Sequence, residues 1–360
     1  MRRAWAEINL QALQHNYQVV RAYAPKSKIL AMLKANAYGH GLVYVAKALK
    51  EADAFGVASM DEALVLRQAG LTNPIFLMEG FFQSDALDLL QDCQLTTVIH
   101  NFEQMKALQD SQFEKPVPVW LKVNTGMNRL GFHPDDFLAV YQQLKKIKAV
   151  DLQGVMTHFP QADDLDCDMT KKQINQFNAM LMGLTEHNRL QKSLANSAGI
   201  MAWPNSHQDW VRPGLMLYGA SPVMNQSSSH LNLKPVMQLF AEVIAIQSVA
   251  PGQTVGYGGT WKAQTKSKVA VVSIGYGDGY PWHAQTGTPV LINDKICKTV
   301  GRPSMDMLTA DVSHMTDIAI GDKVTLWGQN LPIEVIAKSG NTISYEIFCR
   351  LTERVSRKLI

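Results

Sequence analysis

The sequence predicts an α/β protein, an N-terminal (β/α)8 TIM-like barrel followed by a C-terminal, mainly β domain. Three observations carry this. Short apolar runs alternate with segments of helical period eight times between residue 28 and about residue 218. The texture then changes to β-branched runs broken by glycines, and 360 residues exceed the size at which one hydrophobic core usually stops growing.

The eight runs are residues 29–33, 55–58, 75–78, 97–99, 117–123, 152–157, 193–195 and 210–218, the seventh being the weakest. Between them, 41–49 spaces alanines and leucines for a helix, and 61–69 opens with an acidic first turn. Residues 221–230 are polar and turn-rich and read as a linker. Beyond it come strand-like runs at 241–249, 268–274, 289–292, 296–300, 308–312 and 323–327, and helical period returns at 333–339 and 342–352. The chain therefore divides into a barrel domain, 1–225, and a β-rich domain, 226–360. No internal repeat stands out beyond the βα alternation.

Composition narrows the function. Apolar residues make up 46% of the chain, enough for a packed core, while charged residues make up 18% and the net charge is +3. No Lys/Arg block resembles a nucleic-acid-binding arm, so no nucleic-acid partner is expected. Glu7 interrupts the place where a signal peptide needs an apolar stretch, and no run approaches a membrane span, so a soluble cytoplasmic protein is expected. Cys93, Cys167, Cys297 and Cys349 are scattered without metal-ligand spacing and read as reduced thiols, with no metal site.

The segment Ala31-Met-Leu-Lys-Ala-Asn-Ala-Tyr-Gly-His-Gly41 places Lys34 at the C-terminal end of the first barrel strand, the rim where barrel active sites form. Emergence from a buried strand favours the neutral amine that attacks an aldehyde. An isolated lysine there reads equally as a snorkelling rim residue. The whole segment, however, resembles the cofactor-lysine motif of alanine racemases, and the resemblance extends over essentially the whole chain. It implies a pyridoxal 5'-phosphate enzyme that racemises alanine, with Lys34 holding the cofactor and acting as one base.

Further landmarks follow from the resemblance. Lys122-Val-Asn-Thr-Gly-Met-Asn-Arg-Leu-Gly131 resembles the motif whose arginine, here Arg129, faces the substrate carboxylate, for which guanidinium offers a fixed fork. In the family the lysine at the position of Lys122 is often carbamylated and props that arginine. His158 stands where a histidine lies against the cofactor ring. Asn196, Ser197, Gly214 and Leu215 match the phosphate-holding motifs, with hydroxyls from Tyr38 and Tyr345. Arg212 matches the arginine that faces the pyridine nitrogen. An arginine can only donate there and leaves that nitrogen unprotonated, which favours proton exchange at Cα over transamination. Taken singly, each has a plainer reading: a surface arginine, a satisfied histidine, a polar loop, a buried arginine paired with a carboxylate.

The second domain supplies the other base by the same resemblance. Val255-Gly-Tyr-Gly-Gly-Thr-Trp261 carries Tyr257, needed because Lys34 reaches one face of Cα only. A free tyrosine titrates well above neutrality, so the role calls for positive charge, expected from the His158 and Arg212 group. Tyr276 and Arg302 map to the substrate entrance, and Met305 offers its backbone N–H to the substrate carboxylate. Tyr257 and Lys34 lie in different domains, and the resembled family closes its sites across a two-fold axis, which implies a homodimer with Tyr257 donated across the interface. Two positions depart from the family: Trp282 replaces an arginine at the entrance, and Ser193 replaces a histidine that in some members backs the pyridine-facing arginine. A decarboxylase of the same architecture would place an acidic residue at Arg212 and a cysteine at Tyr257. A non-catalytic carrier of the cofactor would lack the second domain. Specificity for serine or larger amino acids stays open.

Overall fold

Ala4–Ile8 (β1) alternates buried and half-buried residues, and Asn9 then caps Leu10–Tyr23 (α1) by accepting from the Ala12 N–H at 2.8 Å. The barrel follows as Lys28–Met32 (β2), Ala54–Val57 (β3), Ile75–Leu77 (β4), Leu95–Ile99 (β5), Val117–Lys122 (β6), Val150–Met156 (β7), Gln191–Ser193 (β8) and Trp210–Val211 (β9). These strands are parallel neighbours in chain order, and β2 closes the ring on β9 with Lys28 opposite Trp210 and Ile29 opposite Val211. The computed structural model describes residues 3–82, 87–184 and 190–360.

Each predicted barrel run contains or abuts a strand. The seventh shifts back by two residues, and the eighth shrinks to Trp210–Val211 because Pro213 has no N–H for a ladder. Leu215–Tyr218 turns instead as a short 3-10 helix.

Lys34–Tyr38 (α2), Leu42–Ala48 (α3), Met60–Gln68 (α4), Leu87–Asp92 (α5), Phe102–Asp110 (α6), Phe137–Leu144 (α7), Met169–Met182 (α8) and Ser197–Ala202 (α9) lie between barrel strands. Ser59, Asn101 and Asn196 cap α4, α6 and α9, each accepting from a backbone N–H three residues on. Inside the barrel, Phe76 of β4, Trp120 of β6 and Trp210 of β9 meet with ring centroids 5.6–6.2 Å apart and fill its floor. Gly154 makes this possible, because a Cβ there would lie 2.8 Å from the Trp120 ring and 2.6 Å from the Gln191 carbonyl oxygen.

The second domain contains Met237–Val249 (β10), the hairpin Thr254–Val255 (β11) and Trp261–Lys262 (β12), Ser267–Val272 (β13), Pro289–Ile292 (β14), Lys295–Thr299 (β15), Leu308–Asp311 (β16) and Lys323–Trp327 (β17). β10, β13, β16, β15, β14 and β17 pair antiparallel in a ring, since β13 bonds both β16 and β10. Ile333–Ser339 (α10), Ser344–Arg350 (α11) and Ser356–Leu359 (β18) end the chain.

One boundary differs from expectation. The sequence places residues 4–8 with the barrel in 1–225, yet β1 lies between β10 and β18 in the second sheet, Ala4 opposite Ala241 and Ala6 opposite Arg357. The 221–230 stretch is also more than a tether, for Ser221 N–H donates to Glu334 of α10 at 2.7 Å and Met224 N–H to the Asp163 carbonyl at 3.0 Å.

Candidate active site

Lys34 opens the turn that follows β2, half-buried at the C-terminal rim of the barrel. Leu33 is anchored by its N–H to the Gly56 carbonyl of β3 at 2.8 Å. Residues 35–38 then run consecutively left-handed, at φ of 53, 54, 52 and 52°. For non-glycine residues this costs about 1–2 kcal/mol each. The turn is offset by its own hydrogen bonds, among them Gly39 N–H to Ala35 O at 2.9 Å and Leu42 N–H to the Asn36 side chain at 2.8 Å.

Arg212 follows β9 directly and is 3% exposed. One terminal nitrogen donates to Ser193 Oγ at 2.7 Å. The other faces the Thr157 carbonyl at 2.6 Å, the Leu194 carbonyl at 3.1 Å and His158 Nδ1 at 3.1 Å. Every one of these partners is neutral, and no Asp or Glu among the described residues pairs with it. Burial pushes its pKa down to about 10, so it keeps its charge at neutral pH. A buried cation without an anion is costly unless a ligand supplies electron density. The plainer reading, a structural arginine–carboxylate pair, does not hold.

Because arginine only donates, His158 Nδ1 must carry the lone pair and Nε2 the proton. Burial, then the charges of Arg212, Lys122, Arg129 and Lys34, hold His158 well below the ordinary histidine range. The histidine is thus neutral, and within the group expected to carry positive charge Arg212 is the cation. Lys122, 8% exposed, is pushed down to about 8 by burial and by Arg212, Arg129 and Lys34, against a smaller opposing effect of Glu79. Lys34, Arg129 and Arg212 thus all lie close enough to Lys122 to act on its charge, an electropositive cluster whose exposed member is Arg129.

Hydroxyls and backbone N–H groups gather beside it. Ser197 Oγ accepts from Gly214 N–H at 2.8 Å and Met216 N–H at 3.4 Å, which leaves its own proton to donate. Gly214 packs bare against Tyr38, whose hydroxyl would lie 2.5 Å from a Cβ there. Tyr38 stacks on Tyr218 at 4.7 Å and approaches Tyr345 at 5.9 Å. Burial pushes both Tyr38 and Tyr345 up, the latter to about 12, so both hydroxyls stay protonated. Leu215 follows Gly214 at the head of the 3-10 turn. The Asn196 oxygen caps α9 through Gly199 N–H at 2.9 Å and its nitrogen donates to Phe159 O at 3.2 Å, which fixes the side chain in place.

A second group sits on the β domain. Tyr257, 75% exposed, tops the β11–β12 hairpin, and a Cβ at the preceding Gly256 would lie 3.6 Å from the Arg302 backbone. Arg302 places its guanidinium 5.7 Å above the Trp282 ring, so the entrance departure keeps a cation stacked on an aromatic face. Tyr276 N–H donates to Ser304 O at 3.1 Å and Gly277 N–H to Met305 O at 2.9 Å, setting these loops side by side. Among the described residues no hydrogen bond, ion pair or ring contact joins this group to the Lys34 group. Sequence reasoning missed Glu62, which accepts from the Asn36 N–H at 3.3 Å and the Ala58 N–H at 2.9 Å, although Ser59-x-x-Glu62 is a capping signature.

Residues 8–222 match the family model described as "Alanine racemase, N-terminal domain", and residues 236–359 match "Alanine racemase, C-terminal domain". The chain is similar to the alanine racemase of Pasteurella multocida, 46% identical over 362 residues that cover 100% of this chain and 99% of the relative. Among solved structures it resembles the biosynthetic alanine racemase of Pseudomonas aeruginosa at TM-score 0.96 and 39% identity, and the alanine racemase of Acinetobacter baumannii at 0.93 and 40%, each covering 100% of both chains.

Proposed function

The chain belongs to the alanine racemase family, and from that premise we propose that it interconverts L- and D-alanine using pyridoxal 5'-phosphate held by Lys34, with Lys34 and Tyr257 as opposed bases. The observation that carries the cofactor reading is Arg212, a buried cation whose protein partners are all neutral. The pocket's chemistry fits the cofactor: a lysine for its aldehyde, hydroxyls and bare backbone for its phosphate, an arginine for its ring nitrogen. When bound, it supplies the electron-withdrawing ring that makes the alanine Cα–H acidic.

Each residue then has a task. Ser197, Tyr38 and Tyr345 donate their hydroxyl protons to the phosphate, with the Leu215 N–H beside them, while the Gly214 N–H holds Ser197 Oγ in place. Arg212 donates to the ring nitrogen without being able to protonate it, and His158 lies neutral against the ring. Arg129 and the Met305 N–H hold the substrate carboxylate. Lys34 moves the proton on one face of Cα and Tyr257 on the other. Lys122, with its ammonium eased toward neutrality, is the amine that carbamylation requires, and its carbamate would prop Arg129.

We place Tyr257 in the partner's site of a homodimer, because it projects exposed from its own hairpin and, among the described residues, no hydrogen bond, ion pair or ring contact links it to the Lys34 group of the same chain. The product D-alanine suits a cytoplasmic supply of cell-wall building blocks, and the reverse reaction suits D-alanine catabolism. Borohydride reduction followed by peptide mapping tests the assignment: the cofactor should be fixed to Lys34 with loss of racemisation, and a label on another lysine would reject it.

A further inference from the structure

The left-handed turn after Lys34 is held from two sides. On the barrel side Glu62 of α4 bonds Asn36 and Ala58. On the other, the last helix and the last strand of the second domain reach across. Gly39, at φ +76°, lies so close to α11 that a Cβ would be 2.1 Å from the Phe348 carbonyl oxygen. Arg357 of β18 donates through Nε to the Gly39 carbonyl at 2.7 Å, and through its terminal nitrogens to the carbonyls of Leu351 at 3.0 Å and Val355 at 3.5 Å. Between these contacts His40, wholly buried, packs on Tyr218 and Phe348 at 4.6 and 4.8 Å.

We propose that Arg357 is a positioning residue for Lys34: by tying the Gly39 carbonyl to the C-terminal segment of the second domain, it keeps the left-handed turn wound and the Lys34 amine directed into the barrel mouth. The inference rests on Lys34 being the cofactor lysine. Its physical basis is that among residues 35–38 only Asn36 favours positive φ, so contacts from outside add to the turn's own hydrogen bonds in holding it wound. The Gly39 carbonyl is where the turn ends. An arginine planted on its own β18 and on Leu351 provides a rigid fork, and it makes the geometry of the lysine depend on docking of the two domains.

Substitution of Arg357 by Ala and by Lys in the full-length enzyme tests this. For Arg357→Ala, kcat should fall about 10- to 100-fold, as expected of an ångström-scale misplacement, while KM for alanine changes by less than about 2-fold. In the chain stripped of cofactor, hydrogen exchange at the amides of Ala37, Gly39 and Gly41 should accelerate while the barrel strands keep their protection. Arg357→Lys, which retains one donor for Gly39 O, should recover most of both. A lower melting temperature with unchanged kcat and unchanged exchange in the turn would make Arg357 a plain domain staple and overturn the proposal. If Arg357→Ala does not fold, Arg357→Lys is measured alone, and wild-type kcat together with faster turn exchange would equally refute it. Borohydride labelling of wild type separates the two readings: a label away from Lys34 removes the cofactor assignment, whereas the exchange result still reports on the clamp.

Discussion

Ser193→Ala probes the support of Arg212 most directly. One terminal nitrogen of Arg212 has Ser193 Oγ as its partner at 2.7 Å, whereas the other is shared among Thr157 O, Leu194 O and His158 Nδ1. Ser193 is 1% exposed, and its hydroxyl also donates to Trp210 O at 3.0 Å, so water cannot readily take its place. Removing the oxygen costs a hydrogen bond to a charged group, about 1.5–3 kcal/mol, and a neutral one of about 1 kcal/mol. A net loss of about 2–4 kcal/mol is expected after local relaxation, a fall in melting temperature of about 4–16 °C for a domain of this size. The guanidinium would then pivot about its remaining anchors, which lie on the His158 side, and kcat should drop about 10-fold. Thermal melts of the cofactor-free chain and steady-state rates in both directions measure the two effects. A melting temperature and kcat both equal to wild type would show that Ser193 does not support Arg212.

Replacing the arginine by a carboxylic acid, Arg212→Glu, should cut racemisation and raise the share of transamination, and an unchanged product ratio by chromatography would remove the argument for an unprotonated ring nitrogen. Tyr257→Phe should suppress Cα proton exchange in deuterated water far more from L-alanine than from D-alanine, and equal loss would point to a single base. Mixing inactive Lys34→Ala with inactive Tyr257→Phe protein under subunit exchange should return roughly a quarter of wild-type activity, since half the dimers are hybrid and one of their two sites is intact; confirmed hybrids without activity would refute the shared site. Burial lowers His40 from 6.5 to about 3 in the folded chain, so full stability is kept above 6.5 and is lost as pH falls through that range while the unfolded chain gains the proton. His40→Phe should therefore spare about 3 kcal/mol of the acid destabilisation at about pH 4.5, and equal denaturation shifts in the two proteins would contradict it.

The barrel was legible because its strands leave near-continuous apolar runs, and α4 because an acidic first turn opens it. β1 was not, since five residues of buried and half-buried alternation carry no mark of a partner near Ala241. The site was legible through motifs, which name residues but not what holds them. Ser193 was visible only as a departure from a histidine; the structure gives it the same neighbour through a shorter, neutral hydroxyl. The left-handed turn was hidden for a sharper reason. In Ala-Asn-Ala-Tyr only the asparagine favours positive φ, and the group that ends the turn, Arg357, lies 318 residues away in sequence. A local pattern can announce a reactive lysine at a strand end. The conformation of the turn that aims it is set by a contact between the two domains, and so it became readable only once both were folded against each other.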